Sequence, residues 1–201
     1  MYLDRSVYIG AAANASLKRD QLLATAERLF YEQGFHATGI DRIVAAAGVV
    51  RMTLYNHFSS KEALITAVLK ARHARFIASL DAAAASALPG QVTQAMVEAH
   101  GRWLERYSQQ GCIMVKAMGE FAEHNTGIHT LATSAKTDFL ARLEAGVARD
   151  GLDHHADLAR RLFVVLEGSN TTVALFGVQT ALSDTRAVTD VLLSAARSRI
   201  P

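Results

Sequence analysis

Apolar residues recur at helical spacing along the chain, and no stretch shows the sustained alternation of apolar and polar residues that is typical of a half-buried strand. Half of the 201 residues are hydrophobic and only two are proline, so long helices can form around a substantial core. Glycines and the Leu88-Pro89-Gly90 segment interrupt the pattern at intervals. The sequence therefore predicts an all-α fold.

The interruptions divide the N-terminal quarter into short predicted helices. The first covers about Leu17–Gln33, and Gly34 is placed to stop it. The second begins after Thr38, a good N-cap residue, and ends at Gly48, since glycine adopts a left-handed turn readily. The third covers roughly residues 50–58.

A long fourth helix is predicted from Ser59-Ser60 towards Leu88, because serines followed by an acidic residue are typical of a helix N-terminus. Ser183-Asp184 is expected to separate the last two helices. The further helices are predicted near 91–109, 112–124, 127–149, 155–177 and 184–198.

Several classes of protein are disfavoured by composition. A single cysteine excludes an internal disulfide framework and favours a reducing cytosol. The first residues carry Asp4 and Arg5 and lack the apolar run of a signal peptide. The most apolar segment, Leu162–Val178, contains Glu167 and Asn170, and we expect a buried core helix rather than a membrane span. The sequence predicts a cytoplasmic protein without membrane contact.

Charge is distributed unevenly along the chain. Residues 1–75 carry ten Lys and Arg against six Asp and Glu, a balance of +4, whereas residues 76–201 carry eleven against thirteen, a balance of −2. This difference in charge favours an N-terminal module that binds a polyanion. The alternative is that the charges are distributed by chance.

The segment from Ala47 to Leu64 joins two short predicted helices through a glycine, which is the plan of a helix-turn-helix. Leu54 and Phe58, four residues apart, are predicted to anchor the second of these helices together with Val49. The other side chains suit phosphates and base edges, so we interpret this helix as one that enters the major groove of DNA. They are Val50, Arg51, Met52, Thr53, Tyr55, Asn56 and His57, followed by Lys61.

From about Leu22 to Leu69 the sequence resembles the N-terminal domain of the TetR family of transcriptional regulators. The landmarks of this resemblance are Leu29-Phe30, Gly34, Thr38, Ile43, Ala47-Gly48-Val49, Thr53-Leu54-Tyr55, His57-Phe58 and Ser60-Lys61-Glu62. The resemblance implies an all-α homodimer whose first three helices bind operator DNA and whose larger C-terminal domain holds an effector. It also implies phosphate contacts for Thr38, Thr53, Tyr55, His57 and Lys61, and base reading for Val50, Arg51, Met52 and Asn56.

Two departures from the family pattern occur at the start of the third helix. Val50 has no capping oxygen where a small polar residue is common, and Arg51-Met52 replaces a frequent basic-Gly pair. Alternative roles remain open for several candidates: Tyr55 could be partly core, His57 could cap or pack, Thr38 would be an N-cap in any case, and Lys61 could be an ordinary solvated lysine.

The domain organisation is predicted as a flexible arm over residues 1–15, a DNA-binding domain over 16–62, and an effector-binding and dimerisation domain over 63–201. Helix 4 (about 60–88) is predicted to connect the last two.

Gly111–Phe121 and Leu162–Val178 resemble the sixth and eighth helices of the family. The last two helices are expected to form the dimer interface, with monomeric core packing as the alternative. On the last helix, the apolar positions that fit this role are Val188, Val191, Leu192 and Ala195.

Large apolar residues and two polar ones are candidates for an effector cavity, although such apolar residues more often belong to the core. They are His100, Trp103, Tyr107, Met114, Met118, Phe121, Phe163, Asn170 and Phe176. Such a lining favours a small, mostly apolar effector.

The remaining chemistry-bearing residues give weaker indications. Cys112 could be a redox sensor, but a lone cysteine at a helix start is more often a packed hydrophobe. His124, His129, His154 and His155 match no compact metal-ligand spacing, so no metal or other cofactor is predicted.

The combined prediction is a dimeric, ligand-responsive transcriptional repressor that binds a pseudo-palindromic operator. Two alternative functions are a helical enzyme using Cys112 or Glu120, Glu123 and His124, and a protein-interaction module. No nucleophile, base and orienting group occur together to support catalysis. The basic front half disfavours both rivals.

Overall fold

A computed structural model describes the backbone of residues 5–123 and 125–198, and the side chains of these ranges from residue 16 onward. Within them the regular structure is entirely helical, which confirms the all-α prediction. The helices are α1 (Arg5–Gln33), α2 (Ile40–Ala46), α3 (Arg51–His57), α4 (Lys61–Ser86), α5 (Val92–Tyr107), α6 (Ile113–Glu120), α7 (Thr126–Arg149), α8 (His155–Phe176) and α9 (Val178–Arg197).

Two helix starts differ from the predictions. α1 begins at Arg5, so helical backbone occupies most of the segment expected to be a flexible arm. α9 begins at Val178 instead of residue 184, because the turn lies at Gly177, whose φ of 80° ends α8. Ser183 and Asp184 are exposed on α9, where water solvates their side chains and the helix continues.

The first core unites the helix-turn-helix with the rest of the molecule. Leu22 and Phe30 of α1, Phe35 of the following loop and Leu54 of α3 are fully buried in it. The same cluster includes residues from the first half of α4, from α6 and from the start of α7. The helices of the helix-turn-helix therefore share their apolar interior with α6, and a displacement of α6 must be accommodated by them.

A second core lies between the later helices. It contains Leu80 of α4, Phe139 and Leu143 of α7, and Leu162 and Leu166 of α8, all of which are buried. α5 and α9 complete the packing around it. α4 passes through both cores and joins them.

The most apolar segment of the chain, Leu162–Val178, buries only one face. Leu166 and Val173 are buried, whereas Val164, Leu175 and Phe176 are more than half exposed. The prediction of a buried core helix is thus correct for one side of α8 and wrong for the other. Over the described residues, no helix combines the length and the hydropathy needed to cross a membrane.

Candidate nucleic-acid interface and buried cavity

Gly48 makes the turn between α2 and α3. Its φ of 63° lies in the left-handed region, which confirms the role predicted for it. The amide of Val49 donates to the carbonyl of Val44 at 3.0 Å, closing the end of α2. From α1, the side-chain amide of Gln21 donates to the carbonyl of Ala47 at 2.8 Å and fixes the turn against the first helix.

α3 is anchored from one side only. Leu54 is fully buried and Phe58 almost so, while Val49 packs partly against the same core. These are the three anchors predicted from the sequence, and the structure confirms their burial. Because a two-turn helix held along one side must present the other, the remaining residues of α3 face away from the core.

The outward face of α3 carries the residues predicted to read sequence. Val50 and Met52 are each 68% exposed, and Arg51 and Asn56 are exposed as well. Tyr55 is 43% exposed, so its ring is partly packed and partly accessible. Large apolar side chains this exposed on an ordered helix are candidates for a binding surface.

Arg51 is held by a carboxylate from the preceding helix. Its guanidinium donates to Asp41 of α2 through Nε and a terminal nitrogen. The side-chain hydrogen bond to Asp41, followed by the attraction of its charge, raises the pKa of Arg51 above its ordinary value. Both side chains remain more than half exposed, so the pair orients Arg51 at the surface.

Val50 occupies the N-cap of α3 and provides no capping hydrogen bond, as its side chain predicted. The amide of Thr53 donates instead to the backbone carbonyl of Val50 at 2.9 Å. Thr53 and His57 are half-buried, so they lie at the edge of the exposed face of α3.

Thr38 is the correction in this region. Its side chain is 0% exposed, and its hydroxyl donates to the carbonyl of Gly34 at 2.7 Å. Gly39, without a side-chain cap, precedes α2. The N-cap prediction for Thr38 is therefore wrong, and in this conformation the residue has no surface that could touch a phosphate. It closes the loop between α1 and α2.

The start of α4 is capped as predicted. Ser60 accepts a hydrogen bond from the amide of Ala63 at 3.1 Å. Glu62 lies in the first turn, where hydrogen bonds from its own amide and from the Ser60 side chain lower its pKa. Lys61 is half-buried, and its ammonium donates to the carbonyl of His36 at 3.3 Å, beside the loop that precedes α2.

Two further basic residues of the N-terminal helices escaped the sequence analysis. Arg42 is exposed on α2. Arg19 of α1 lies with its guanidinium 5.4 Å from the centre of the Phe58 ring, near the end of α3. Their positions in the basic N-terminal segment were visible in the sequence, but the nearness of Arg19 to Phe58 was not.

A cavity of about 40 Å³ lies between α4, α5, α6, α7 and α8. Four of the residues predicted to line an effector cavity line it: His100, Trp103, Met114 and Asn170. This space holds about one water molecule.

The other predicted cavity residues lie elsewhere. Met118 and Phe121 pack in the first core, and Phe163 packs against Phe139 at 5.6 Å in the second core. Tyr107 faces an open cleft between α1, α4 and α5, and Phe176 is 57% exposed at the end of α8. All five predictions failed for the same reason. A large apolar residue type indicates that a side chain tends to be buried, but it does not indicate which space that side chain faces.

Charged residues line the cavity in paired form, which the sequence analysis missed. The ammonium of Lys136 donates to both carboxylate oxygens of Glu167, at 2.8 and 2.7 Å, and to the Cys112 sulfur at 3.1 Å. Burial lowers the pKa of Lys136, but the neighbouring Cys112 and Glu167 outweigh it and raise the pKa above its ordinary value. Lys136 is therefore charged.

His100 is the polar group of the cavity that lacks a partner. It is 3% exposed, and its Nδ1 makes no hydrogen bond. Burial, with a smaller contribution from the charge of Lys136, lowers the pKa of His100 to about 3. The imidazole is thus neutral over the physiological range.

Arg72 connects the cavity wall to α1. It donates to Glu27 of α1 at 2.8 Å and to the carbonyl of Tyr107 at the end of α5. Its guanidinium lies 5.0 Å from the centre of the Tyr31 ring and 5.7 Å from that of Trp103. One buried cation therefore touches α1, α5 and a ring that lines the cavity.

α6 provides a second connection. At its C-terminal end the carboxylate of Glu120 accepts hydrogen bonds from the amides of Phe35 and His36, at 3.0 and 2.8 Å. In its middle Lys116 donates to the carbonyl of Tyr31 at 2.8 Å. The N-terminal end of α6 begins at the cavity, next to Cys112. α6 thus spans the distance from the cavity to the α1–α2 loop.

The other chemistry-bearing residues gather into no further site. Cys112 is half-buried at the N-cap of α6. His129 is half-buried on α7, His154 and His155 are exposed, and His124 lies outside the described residues. In the part of the chain that the structure describes, no three His, Cys, Asp or Glu side chains are arranged to hold a metal ion.

Comparison with known proteins agrees with this geometry. The family described as bacterial regulatory proteins, tetR family, matches residues 22–68, which span α1 to α4 and include the turn at Gly48. This confirms the resemblance seen in the sequence. α3, the second helix of the helix-turn-helix, lies within the matched segment.

Among curated proteins, the chain is 33% identical over 141 residues to the HTH-type transcriptional activator FasR of Mycolicibacterium smegmatis, an alignment that covers 69% of this chain and 63% of FasR. It is 42% identical over 53 residues to the HTH-type transcriptional repressor KstR2 of Rhodococcus jostii, covering 26% of each. The chain thus spans less than two thirds of the length of these two relatives.

Among solved structures, the fold matches that of a TetR-family transcriptional regulator from Streptomyces coelicolor with a TM-score of 0.83 and 27% sequence identity. The match covers 90% of this chain and 96% of that one, so the likeness extends through the C-terminal helices.

Proposed function

Because the chain belongs to the TetR family of transcriptional regulators, we propose that it represses transcription as a homodimer on a pseudo-palindromic operator and leaves that operator when a small effector binds. The observation that carries this proposal is the outward face of α3, where Val50, Arg51, Met52 and Asn56 are exposed while Leu54 and Phe58 anchor the helix. An exposed, rigidly anchored helix of this length fits the major groove.

Each residue of this face has a chemistry that suits a base edge. The Arg51 guanidinium can donate two hydrogen bonds to guanine, and the Asn56 amide can pair with adenine. Val50 and Met52 offer apolar contact to thymine methyl groups. Thr53, Tyr55, His57 and Lys61 surround this face, and we assign them to phosphates, which hold the helix in register.

We propose that α8 and α9 form the dimer interface. Val164 and Leu175 on α8 and Val188 and Val191 on α9 are exposed in the single chain, although they are large and apolar. Exposed apolar residues on two adjacent helices are typical of a surface that a second copy covers. A four-helix arrangement across a two-fold axis would set the spacing of the two α3 helices.

Effector release is proposed to act through the cavity. A ligand larger than the present space must move the cavity wall, and the wall is tied to α1 through Arg72 and to the α1–α2 loop through α6 and Glu120. A ligand that binds the expanded conformation more tightly shifts the population towards it. If α3 is misaligned there, operator affinity falls by the same differential free energy.

Repression is proposed because occupying an operator needs only the DNA-binding surface, whereas activation needs an additional contact with the transcription machinery. Similarity to the repressor KstR2, which is limited to the helix-turn-helix region, supports repression. Similarity to FasR, which is named an activator, argues against it. Transcription in vitro from a template that carries the recovered operator distinguishes the two, since a repressor lowers the yield of transcript.

The proposal is tested by selecting bound fragments from a randomised duplex pool at low and moderate salt. We expect a pseudo-palindrome whose half-sites are separated by about one helical turn or slightly more. Arg102→Ala, at an exposed position on α5, is the control and should recover the same site. Recovery of no sequence at either salt, from a folded and ligand-free dimer, would contradict the proposal.

A further inference from the structure

We propose that the cavity binds an uncharged aromatic compound with a hydroxyl group, and that this hydroxyl forms a hydrogen bond with Nδ1 of His100. Only the role of this ligand as the effector rests on the proposed function; its binding to the cavity does not. Three properties of the cavity lead to it: the shape of its wall, the pairing of its charges, and a buried polar atom without a partner.

The wall of the cavity is a set of packed aromatic rings. The ring centres of Phe76 and Phe139 lie 5.0 Å apart in an edge-to-face arrangement, and those of Phe76 and Trp103 lie 5.3 Å apart. His100 stacks parallel to Phe139, with 5.6 Å between centres and 3° between planes. A flat ring extends such an arrangement with favourable edge and face contacts.

The charges of the lining are balanced by protein groups. Lys136 is bound to Glu167, and Arg72 is bound at 2.8 Å to Glu27, which Arg75 also contacts. A ligand carboxylate would have to displace one of these protein carboxylates and leave it buried without its partner, which is costly. An uncharged ligand leaves both pairs intact.

His100 is the group that a ligand could satisfy. Two buried side-chain polar atoms of the described residues lack a partner, Oγ1 of Thr93 and Nδ1 of His100, and of these two residues His100 lines the cavity. An unsatisfied buried polar atom lowers stability, and a ligand that satisfies it recovers that free energy. A hydroxyl can donate or accept, so it matches either tautomer of the neutral imidazole.

The size of the cavity makes binding and conformational change inseparable. An apolar cavity of about 150 Å³ accommodates benzene, whereas this one measures about 40 Å³. Phe76 and Trp103 are half-buried, so these two rings can move towards solvent and enlarge the space. Arg72 lies against the Trp103 ring, and it would transmit this movement to Glu27 on α1.

The experiment uses Trp103, the single tryptophan of the chain, as the reporter. Its fluorescence is titrated with phenol, with anisole, in which a methyl ether replaces the hydroxyl, and with benzoate, which carries a charge. We expect phenol to bind about tenfold more tightly than anisole, since a hydrogen bond to a buried unsatisfied group has roughly that effect. We expect benzoate to bind more weakly than phenol.

Three variants identify the partner of the hydroxyl. His100→Leu should abolish the preference for phenol over anisole, whereas His100→Asn, which keeps a polar atom near the position of Nδ1, should retain part of it. His155→Leu, at an exposed position outside the cavity, should behave as the unmodified protein. Circular dichroism checks that each variant is folded, and if His100→Leu fails to fold, the comparison of His100→Asn with the unmodified protein carries the test.

Equal affinities for phenol and anisole, tighter binding of benzoate, or no fluorescence response to any probe would each overturn the inference. These titrations contain no DNA, so their result is independent of the duplex selection. A recovered operator with no phenol preference rejects the ligand class alone, and a His100-dependent phenol preference without any operator rejects the regulator proposal alone.

Discussion

Among the cation–carboxylate pairs of the described residues, two differ clearly in their exposure to solvent. Arg51 and Asp41 meet on the outward side of the helix-turn-helix, with more than half of each side chain exposed. Lys136 and Glu167 meet at the cavity, where only 16% and 20% of their side chains are exposed. Water screens the first pair and competes for it, whereas the second pair has little alternative solvation.

The difference indicates what each pair can do. An exposed arginine can exchange its carboxylate for a base edge or a phosphate at small cost, so the Arg51–Asp41 pair suits a recognition surface. The buried pair fixes α7 to α8 and resists exchange, so it suits a rigid wall of a cavity. The predictions below break one pair or its neighbours and compare the effects on stability and on DNA binding.

The largest effect is expected from breaking the buried pair. Glu167→Ala leaves the Lys136 ammonium without a carboxylate and should lower the free energy of unfolding by about 2–3 kcal/mol, somewhat less than for a fully buried pair, because both groups retain some solvent contact. Urea denaturation at a fixed protein concentration measures it. Asp41→Ala is the matched control and should leave the urea midpoint unchanged; equal losses in the two variants would remove the distinction between the pairs.

The next effect is a pH dependence from His100. Its folded pKa of about 3 lies below the ordinary value of 6.5, so between these values the unfolded chain binds a proton that the folded chain does not. Stability should therefore fall as pH decreases from 6.5, by about 2 kcal/mol at pH 5 from this residue.

Unfolding at pH 7 and pH 5, compared between the unmodified protein and His100→Asn, isolates this contribution. The variant should lose about 2 kcal/mol less on acidification. Identical losses would mean that the imidazole is not held neutral in the folded protein.

A smaller effect is expected at the edge of the recognition surface. Lys61→Ala should weaken binding to every duplex by a similar factor and reduce the slope of log K against log salt by about one, as expected for one lost phosphate contact. Titrations at four salt concentrations give the slope. If the slope does not change, Lys61 makes no contact with DNA.

The smallest effect is expected from Asp41→Ala on DNA binding. Removing this carboxylate reduces repulsion from phosphates but releases Arg51 from its orientation. Affinity for random duplex should rise. The preference for the selected operator should fall by about threefold, because Arg51 loses its fixed orientation but keeps its contact with DNA. Competition between the two duplexes measures the ratio, and an increased preference would show that Asp41 hinders Arg51.

The recognition helix could be predicted from the sequence because its signals are local. Gly48 adopts a left-handed turn that other residues adopt only at a cost, and Leu54 and Phe58 have a helical spacing that fixes the inward face. Thr38 is a local signal that failed, since its hydroxyl bonds backward to Gly34 within the loop and not forward to α2. A capping residue and a loop-closing residue have the same composition, and the tertiary fold decides between them.

The cavity could be predicted only in part, because it depends on pairings between distant residues. Lys136 and Glu167 are 31 residues apart, and nothing local to either indicates the other. Residue type correctly placed His100 and Trp103 at the cavity, but it wrongly placed Phe163 there, because core positions and cavity-lining positions are occupied by similar residue types. The rotation of a helix about its axis decides which of the two a residue occupies, and tertiary packing sets that rotation.

The central claim is that the exposed face of α3 reads base sequence while the buried core around it supplies stability. The most direct test compares Arg51→Ala with the unmodified protein on the selected operator and on a random duplex at the same salt. The account predicts about a tenfold loss of affinity on the operator, little change on the random duplex, and an unchanged urea midpoint. An equal loss on both duplexes, or no loss on either, would contradict it.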